Sequence, residues 1–144
     1  MAQTKVNKTV AKIFTGAHAK IYKLSGGRIG DKMAGGNIIL LGTTGRKSGD
    51  RRERPLIAGD HDDGWVVIAS WSGHDSHPAW YLNLEANPEA TVQLGTETHG
   101  VRARIAEGDE REALWRQMAD IYSDYDEYQL VTDRDIPVLV LERL

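Results

Sequence analysis

The first hydrophobic pattern in the chain has the spacing of an amphipathic helix over residues 5–24. Its apolar residues recur every three or four positions and fall in an arc about 100° wide. They are Val6, Val10, Ile13, Phe14, Ala17, Ile21 and Leu24. Lysines occupy another side of this helix, and a glycine-rich stretch over residues 25–30 ends it. Residues 1–30 are therefore predicted to be a helix and its connection.

From residue 37 onward, short apolar runs separated by turn residues predict strands. Asp63-Gly64 is a hairpin signal, and Gly95 and Gly100 bound a second predicted turn. The six predicted strands cover residues 37–44, 53–59, 65–70, 91–94, 101–106 and 136–141.

Two helices interrupt these strands. The first is predicted to begin near Pro78 and to end before Asn87-Pro88, because a proline disfavours the α conformation at the residue before it. The second follows Gly108 and carries apolar residues on one face, namely Leu114, Met118, Ile121 and Tyr122. Few helices and short hairpin connections predict one mainly β (α+β) domain over residues 1–144, with an antiparallel barrel over residues 37–144.

Composition excludes several classes of protein. The 144 residues include no cysteine, which rules out disulfides, a thiol nucleophile and thiolate metal sites. No apolar run reaches the roughly 18 residues that span a bilayer, and no signal peptide is recognisable, so we expect a cytoplasmic protein. The sequence pI of about 5.9 argues against a nucleic-acid partner.

The net charge of −3 conceals a strong asymmetry. Residues 1–54 hold 12 basic and 3 acidic residues, whereas residues 105–144 hold 4 basic and 11 acidic residues. Residues 46–54 alone hold five of the 18 basic residues, and they follow the end of a predicted strand, where backbone N–H groups can form an anion site. This segment suits a phosphate or carboxylate ligand, although a solvated turn fits the composition equally well.

A second group of candidates lies between residues 70 and 84. Trp80 and Asn83 are three positions apart on the predicted short helix, so they share a face. A ring beside an amide suits a flat heteroaromatic ligand, but such a tryptophan is more often part of the core. His74 and His77 have no third ligand in a metal-binding pattern, so we expect no metal site.

A third group consists of Tyr122, Tyr125 and Tyr128, spaced by three positions. In a helix they would line one side and present phenolic donors on an apolar wall; the alternative is packing under the barrel. No nucleophile–base pair and no pair of carboxylates occurs at diagnostic spacing. The chemistry of a reaction would therefore come from a bound cofactor.

Taken in order, these segments resemble the deazaflavin-dependent nitroreductase and quinone reductase family of actinobacteria. The resemblance extends from about Ile21 onward and is carried by residues 41–49 (LGTTGRKSG), 77–88 (HPAWYLNLEANP), and 122–128 with the following Thr132-Asp133-Arg134. It implies a split β-barrel of the FMN-binding type and binding of coenzyme F-420, an 8-hydroxy-5-deazaflavin. It also implies hydride transfer from the reduced coenzyme to a quinone, enone or nitro compound.

The resemblance implies roles for individual residues. Those expected to bind the coenzyme, through its phosphate, acidic glutamyl tail or ring, are Arg46, Lys47, Arg52, Pro55, Leu56, Ser70, Trp71, Trp80 and Asn83. Those expected at the reacting end are Ser70, Tyr122, Tyr125 and Tyr128. Tyr125 or the Ser70 backbone N–H could donate a hydrogen bond to the acceptor oxygen. Related nitroreductases can carry a lysine where this chain has Trp71, so reduction of nitroimidazoles does not follow from the resemblance.

Two other functions fit the sequence. One is an FMN-dependent flavin reductase on the same barrel, and the other is a non-catalytic carrier of the coenzyme or of lipids. The basic side of the helix over residues 5–24 is also consistent with peripheral contact to an anionic membrane at the inner face of the plasma membrane. The alternative for this helix is packing on the barrel. The protein is expected to be a monomer or a homodimer.

Overall fold

The computed structural model of the protein describes the backbone of residues 32–33 and 36–144, and side chains from Asn37 onward. The predicted helix over residues 5–24, with its membrane contact, lies outside the described residues. Within the described part of the chain, no helix is both long and apolar enough to cross a membrane.

In the part of the chain that the structure describes, seven antiparallel strands form one sheet that closes on itself. In spatial order they run β1-β2-β3-β4-β7-β6-β5, and β2 also pairs with β5. The closing contact joins Leu40–Gly42 of β2 to Thr91–Gln93 of β5. The strands are β1 (Lys32–Met33), β2 (Gly36–Thr44), β3 (Arg51–His61), β4 (Gly64–Ile68), β5 (Glu89–Leu94), β6 (Glu97–Ile105) and β7 (Val138–Arg143). The predicted six-stranded antiparallel barrel is confirmed, with the two-residue β1 added at one end.

The strands differ from the sequence prediction mainly at their ends. β3 begins at Arg51, because the basic residues continue the ladder with β2 up to the pair Thr44 and Arg51. β7 begins at Val138, two positions later than predicted, since Pro137 has no N–H to donate to a ladder. Ile136 is still fully buried, and its N–H donates to the Gln129 side chain.

Three helices and one 3-10 turn connect the strands within residues 36–144. They are the turn at Trp71–Gly73, α1 (Ala79–Ala86), α2 (Gly108–Ile121) and α3 (Asp124–Leu130). The sequence predicted two helices here and did not separate α3 from α2. The break lies at Tyr122, which has extended backbone angles while its N–H closes α2 on the Met118 carbonyl.

Alternate positions along the strands build two apolar cores, as the two-residue period of a strand requires. One core takes side chains from all six barrel strands and from α1, including Leu41, Trp65 and Leu84. The other takes the alternate residues of β2, β3, β4 and β7 together with α2 and α3. The three tyrosines belong to this second core, so the helical segment that carries them is fixed against the outside of the barrel.

Candidate functional site

A cationic pocket lies between the β2–β3 loop and α1. Its cavity has a volume of about 410 Å³. The loop is closed by two backbone hydrogen bonds, from Gly45 N to Asp50 O (2.7 Å) and from Gly49 N to Gly45 O (2.8 Å). Gly49 has a φ of 76°, which favours glycine. The basic side chains that line the cavity are Arg46, Lys47, Arg52 and Arg54.

Arg46 is held in this pocket by Asn83 of α1. The Asn83 Oδ1 atom accepts hydrogen bonds from the Arg46 backbone N and from its Nη1, both at 3.1 Å. The Asn83 Nδ2 atom donates to Thr43 Oγ1 at 3.1 Å, and Asn83 is only 4% exposed. A short amide thus connects α1 to the end of β2 and orients one cation of the pocket.

The other basic side chains of the segment divide between two directions. Arg51 does not line the cavity; it donates to Thr91 Oγ1 at 2.7 Å and pairs at 3.2 Å with Glu53, which does line it. Arg52 lines the cavity, with its Nη2 atom 3.4 Å from Ser48 Oγ. Arg54 lines it too, a residue that the sequence analysis did not assign to the site. The two-residue period of β3, which places residues 52 and 54 on the same face, was the signal for it.

An aromatic pocket of about 270 Å³ adjoins the cationic pocket. Arg54, Ala79 and Trp80 line both cavities, so the two form one groove along the N-terminal half of α1. The walls of the aromatic pocket come from β3, from the end of β4, from the turn at residues 70–72 and from α3. The predicted residues on these walls are Pro55, Leu56, Ser70, Trp71, Trp80, Tyr122, Tyr125 and Tyr128.

The three tyrosines form a tightly packed cluster on one wall. Their ring centroids are 5.2–6.2 Å apart, with edge-to-face angles between the rings. The Tyr122 hydroxyl lies 2.9 Å from the Tyr128 hydroxyl and 2.9 Å from Asp124 Oδ2, to which it donates. The Tyr125 hydroxyl has no hydrogen-bond partner among residues 37–144, although Tyr125 is buried. Tyr125 lines the aromatic pocket, so its hydroxyl is a candidate donor to a molecule bound there.

Burial keeps these phenols protonated. It is the largest cause of the raised pKa of Tyr122, and the hydrogen bond with Tyr128 is the next. Burial also raises the pKa of Tyr125, with a smaller contribution from Tyr128. For Tyr128, burial raises the pKa, while hydrogen bonds with Tyr122 and Ser72 oppose the shift. All three residues are neutral donors over the physiological range of pH.

The adjoining wall is an unusual turn that contacts Tyr128. Trp71 and Ser72 have φ angles of 42° and 53° and are the only residues other than glycine with positive φ in the described part of the chain. Trp71 is 51% exposed and stacks on His74, with ring centroids 4.2 Å apart. The indole therefore stands at the mouth of the aromatic pocket, open to solvent.

The two histidines of this region do not make a metal centre. Among the residues that the structure describes, no group of three or more metal-binding side chains is assembled. His77 Nδ1 lies 3.1 Å from Arg134 Nη1. Burial, followed by the charge of Arg134, lowers the pKa of His77, so its neutral ring accepts a hydrogen bond there.

The structure thus places all twelve residues predicted for the site around a single groove. A cationic pocket joined to a pocket of aromatic rings and neutral hydroxyl donors defines a class of protein, one that binds an anionic ligand with a flat ring. Contact of each residue with the coenzyme stays a prediction. For Asn83 the structure adds a second task, because most of its amide is engaged by Arg46 and Thr43.

Comparisons with known proteins agree with this class. A protein-family model described as "F420H(2)-dependent quinone reductase" matches residues 15–143. A Mycobacterium tuberculosis (H37Rv) protein described as an F420H(2)-dependent quinone reductase is 35% identical over 130 residues, which cover 88% of this chain and 87% of that protein.

Two solved structures are also similar. One, described as an F420-H2 dependent reductase, has 42% identity and a TM-score of 0.68 and covers 73% of this chain and 93% of its own. Another, described as a domain-swapped dimer, has the same identity and TM-score and covers 73% of this chain and 79% of its own.

The chain belongs to the F420H(2)-dependent quinone reductase family, whose members are oxidoreductases that use coenzyme F-420 and act on quinones. This confirms the predicted family, coenzyme and oxidoreductase activity, with a quinone as the acceptor. Enone and nitro acceptors stay predictions.

Proposed function

We propose that coenzyme F-420 binds along the groove beside α1, with its acidic tail in the cationic pocket and its ring in the aromatic pocket. The observation that carries this proposal is the continuity of the two cavities across Arg54, Ala79 and Trp80. A ligand that fills both must combine an apolar flat part with an anionic part. The deazaflavin coenzyme has both parts.

The residues of the cationic pocket fit the tail. Arg46, Lys47, Arg52 and Arg54 line one cavity. Among the described residues on its wall, Glu53 is the only carboxylate, and it is paired with Arg51. Guanidinium groups bind phosphate and carboxylate through directed hydrogen bonds, and lysine adds a point charge. These side chains would hold the phosphate and glutamyl groups, while Asn83 keeps Arg46 directed at them.

The residues of the aromatic pocket fit a ring and an acceptor. Pro55, Leu56 and Trp80 give it flat or apolar surfaces that exclude water. The reduced coenzyme, when bound, supplies a hydride. The Tyr125 hydroxyl is the group that meets the negative charge developing on the acceptor oxygen, because it is neutral, buried and unpartnered among residues 37–144. Tyr122 and Tyr128 bond to each other and so shape the acceptor wall.

The same hydroxyl can donate to any acceptor with a polar oxygen. We therefore propose enones and nitro compounds as acceptors besides quinones, limited by the indole of Trp71 at the pocket mouth. Steady-state rates with menadione, cyclohexenone and a nitroimidazole would rank the three classes. Turnover of menadione alone would restrict the enzyme to quinones.

The binding part of this proposal is tested by titrating the protein with oxidised coenzyme F-420 beside FMN. We expect tighter binding of the deazaflavin coenzyme, with an affinity that falls as salt is added, because its longer acidic tail engages the cationic pocket. Preferential binding of FMN would instead favour a flavin reductase. Tight binding without turnover of menadione would favour a carrier.

We also infer that a homodimer is the first assembly to test, since a solved relative with 42% identity is described as a domain-swapped dimer. Light scattering of the full chain distinguishes one copy from two. A single species with the mass of one chain across the accessible concentration range would refute the inference.

A further inference from the structure

The turn beside the aromatic pocket has a backbone that side chains rarely adopt. Trp71, Ser72 and Gly73 have successive φ angles of 42°, 53° and 78°. Left-handed conformations are unfavourable for a bulky residue such as tryptophan, and they persist only where the surroundings hold them. Two backbone hydrogen bonds close the turn, from Gly73 N to Ser70 O and from His74 N to Trp71 O, both at 2.9 Å. Two such bonds do not by themselves explain three left-handed residues in succession.

The turn is also pressed against α3. A Cβ atom added at Gly73 would lie 2.6 Å from Val131 Cγ2 and 2.9 Å from the Tyr128 carbonyl oxygen. Ser72 has a side-chain hydrogen bond with Tyr128. A shift of the turn would therefore move the part of the pocket wall that packs against α3.

Arg134 donates hydrogen bonds to backbone carbonyls on both sides of this turn. Its Nη2 donates to Ser70 O at 2.7 Å, its Nη1 to Ala69 O at 3.2 Å, and its Nε to His74 O at 2.7 Å. These three carbonyls precede and follow the left-handed residues. The planar guanidinium is rigid and directs its donors along fixed lines, so one side chain can fix both ends of the turn. A lysine ammonium carries its donors on a single nitrogen and lacks the fixed, spread directions of the guanidinium.

The segment that carries Arg134 is itself tied to the same loop. Thr132 Oγ1 donates to Asp75 Oδ1 at 2.9 Å, and the Arg134 backbone N lies 3.4 Å from Thr132 Oγ1. His77 Nδ1 accepts from Arg134 Nη1 at 3.1 Å. Nearly all of the N–H groups of the guanidinium therefore donate to the loop over residues 69–77. Arg134 does not line the pocket.

We propose that Arg134 is a positioning residue that holds the left-handed turn at residues 71–73 and thereby fixes Ser70, Trp71 and Ser72 as the acceptor-side wall of the aromatic pocket. This inference rests on the proposed function for the identity of the acceptor. That Arg134 holds the turn is inferred from the hydrogen bonds alone. Arg134 acts through the turn and touches neither ring nor acceptor.

The first test measures the turn without any activity. In Arg134→Lys, amide hydrogen exchange of Gly73 and His74 should accelerate at least tenfold, while the amides of β2 keep their rates. Arg116→Lys is the matched control, because Arg116 is an exposed arginine on α2, away from the turn. Unchanged exchange at Gly73 and His74 would overturn the proposal.

The second test measures the pocket. With saturating reduced coenzyme, Arg134→Lys should raise the menadione KM about tenfold or more. The affinity for oxidised coenzyme F-420 should fall by a smaller factor, because the turn does not line the cationic pocket proposed for the coenzyme tail. In Arg134→Ala, millimolar guanidinium ion should restore slow exchange and low KM, whereas methylammonium should not. If Arg134→Ala fails to fold, Arg134→Lys alone decides the question.

The outcomes separate the two proposals. Accelerated exchange with an unchanged menadione KM would overturn the positioning role. A loss of coenzyme affinity by the same factor as the rise in the menadione KM would show general loosening of the site. That result would also overturn the positioning role. A wild-type protein that turns over no quinone would refute the proposed function. The effect of Arg134 on the turn would then be decided by hydrogen exchange and its rescue by guanidinium.

Discussion

Removal of the Asn83 side chain tests how the cationic pocket is built. Asn83→Ala deletes three hydrogen bonds, two from Arg46 and one to Thr43, at a position that is 4% exposed. A hydrogen bond contributes about 0.5–1.5 kcal/mol net, so the loss should lower the free energy of unfolding by about 1.5–4.5 kcal/mol. In a chain of 144 residues this corresponds to a decrease in Tm of roughly 5–15 °C.

The same substitution should weaken coenzyme binding, because Arg46 loses the amide that directs it into the pocket. We expect the affinity for oxidised coenzyme F-420 to fall by about 10-fold, corresponding to about 1.4 kcal/mol. Thermal unfolding and a coenzyme titration are measured on the same preparations. Asn87→Ala is the matched control, since Asn87 is exposed and accepts a single hydrogen bond, from Glu89 N.

Two results would refute this reasoning. If Asn83→Ala melts within 2 °C or so of the Asn87→Ala control, the three hydrogen bonds contribute nothing beyond what water replaces. If Asn83→Ala is destabilised as expected but binds the coenzyme normally, the amide stabilises the fold without shaping the anion site.

Three further predictions follow from the groove. Lys47→Ala and Arg52→Ala should each weaken coenzyme binding by roughly 1–3 kcal/mol in a titration at low salt, with a smaller effect at high salt; normal binding by both variants would remove the tail from this pocket. Tyr125→Phe should lower kcat about 10- to 100-fold while Tm stays unchanged, because the lost hydroxyl has no partner among residues 37–144; an unchanged kcat would leave Tyr125 as a packing residue. Since the folded state raises the pKa of Tyr122, Tyr125 and Tyr128, urea unfolding should show stability falling as pH rises above about 10, where the unfolded phenols ionise first; a flat profile from pH 9 to 11 would contradict the burial argument.

The sequence predicted the barrel well because apolar runs and turn residues are local signals. It predicted the basic segment for the same reason, since Lys47 and Arg52 are close in the chain. Its spacing from Trp80 on α1 made Asn83 a candidate, and the family resemblance assigned it to the coenzyme site. The hydrogen bonds of that amide with Arg46 and Thr43 join residues about 40 positions apart in the chain. No periodic pattern in the sequence predicts such bonds.

Arg134 shows the limit of such reasoning most clearly. Its segment contributed to the family resemblance, but no role could be given to it, because its acceptors are backbone carbonyls that every residue possesses. The left-handed turn was hidden for a related reason. Glycine at position 73 signals a turn, yet no local rule places Trp71 and Ser72 in that conformation.

The position of β7 in the barrel has a consequence for how the protein is made. β7 follows all other described strands in the sequence, yet it lies between β4 and β6, and it pairs Val66 with Val140. While residues 138–143 are still inside the ribosome, β4 and β6 each present a row of unpaired backbone groups. Closure must wait for these six residues and then join positions far apart in the chain, which slows folding. In a nascent chain paused before residue 138, β4 and β6 could therefore pair with strands of other nascent chains on the same mRNA.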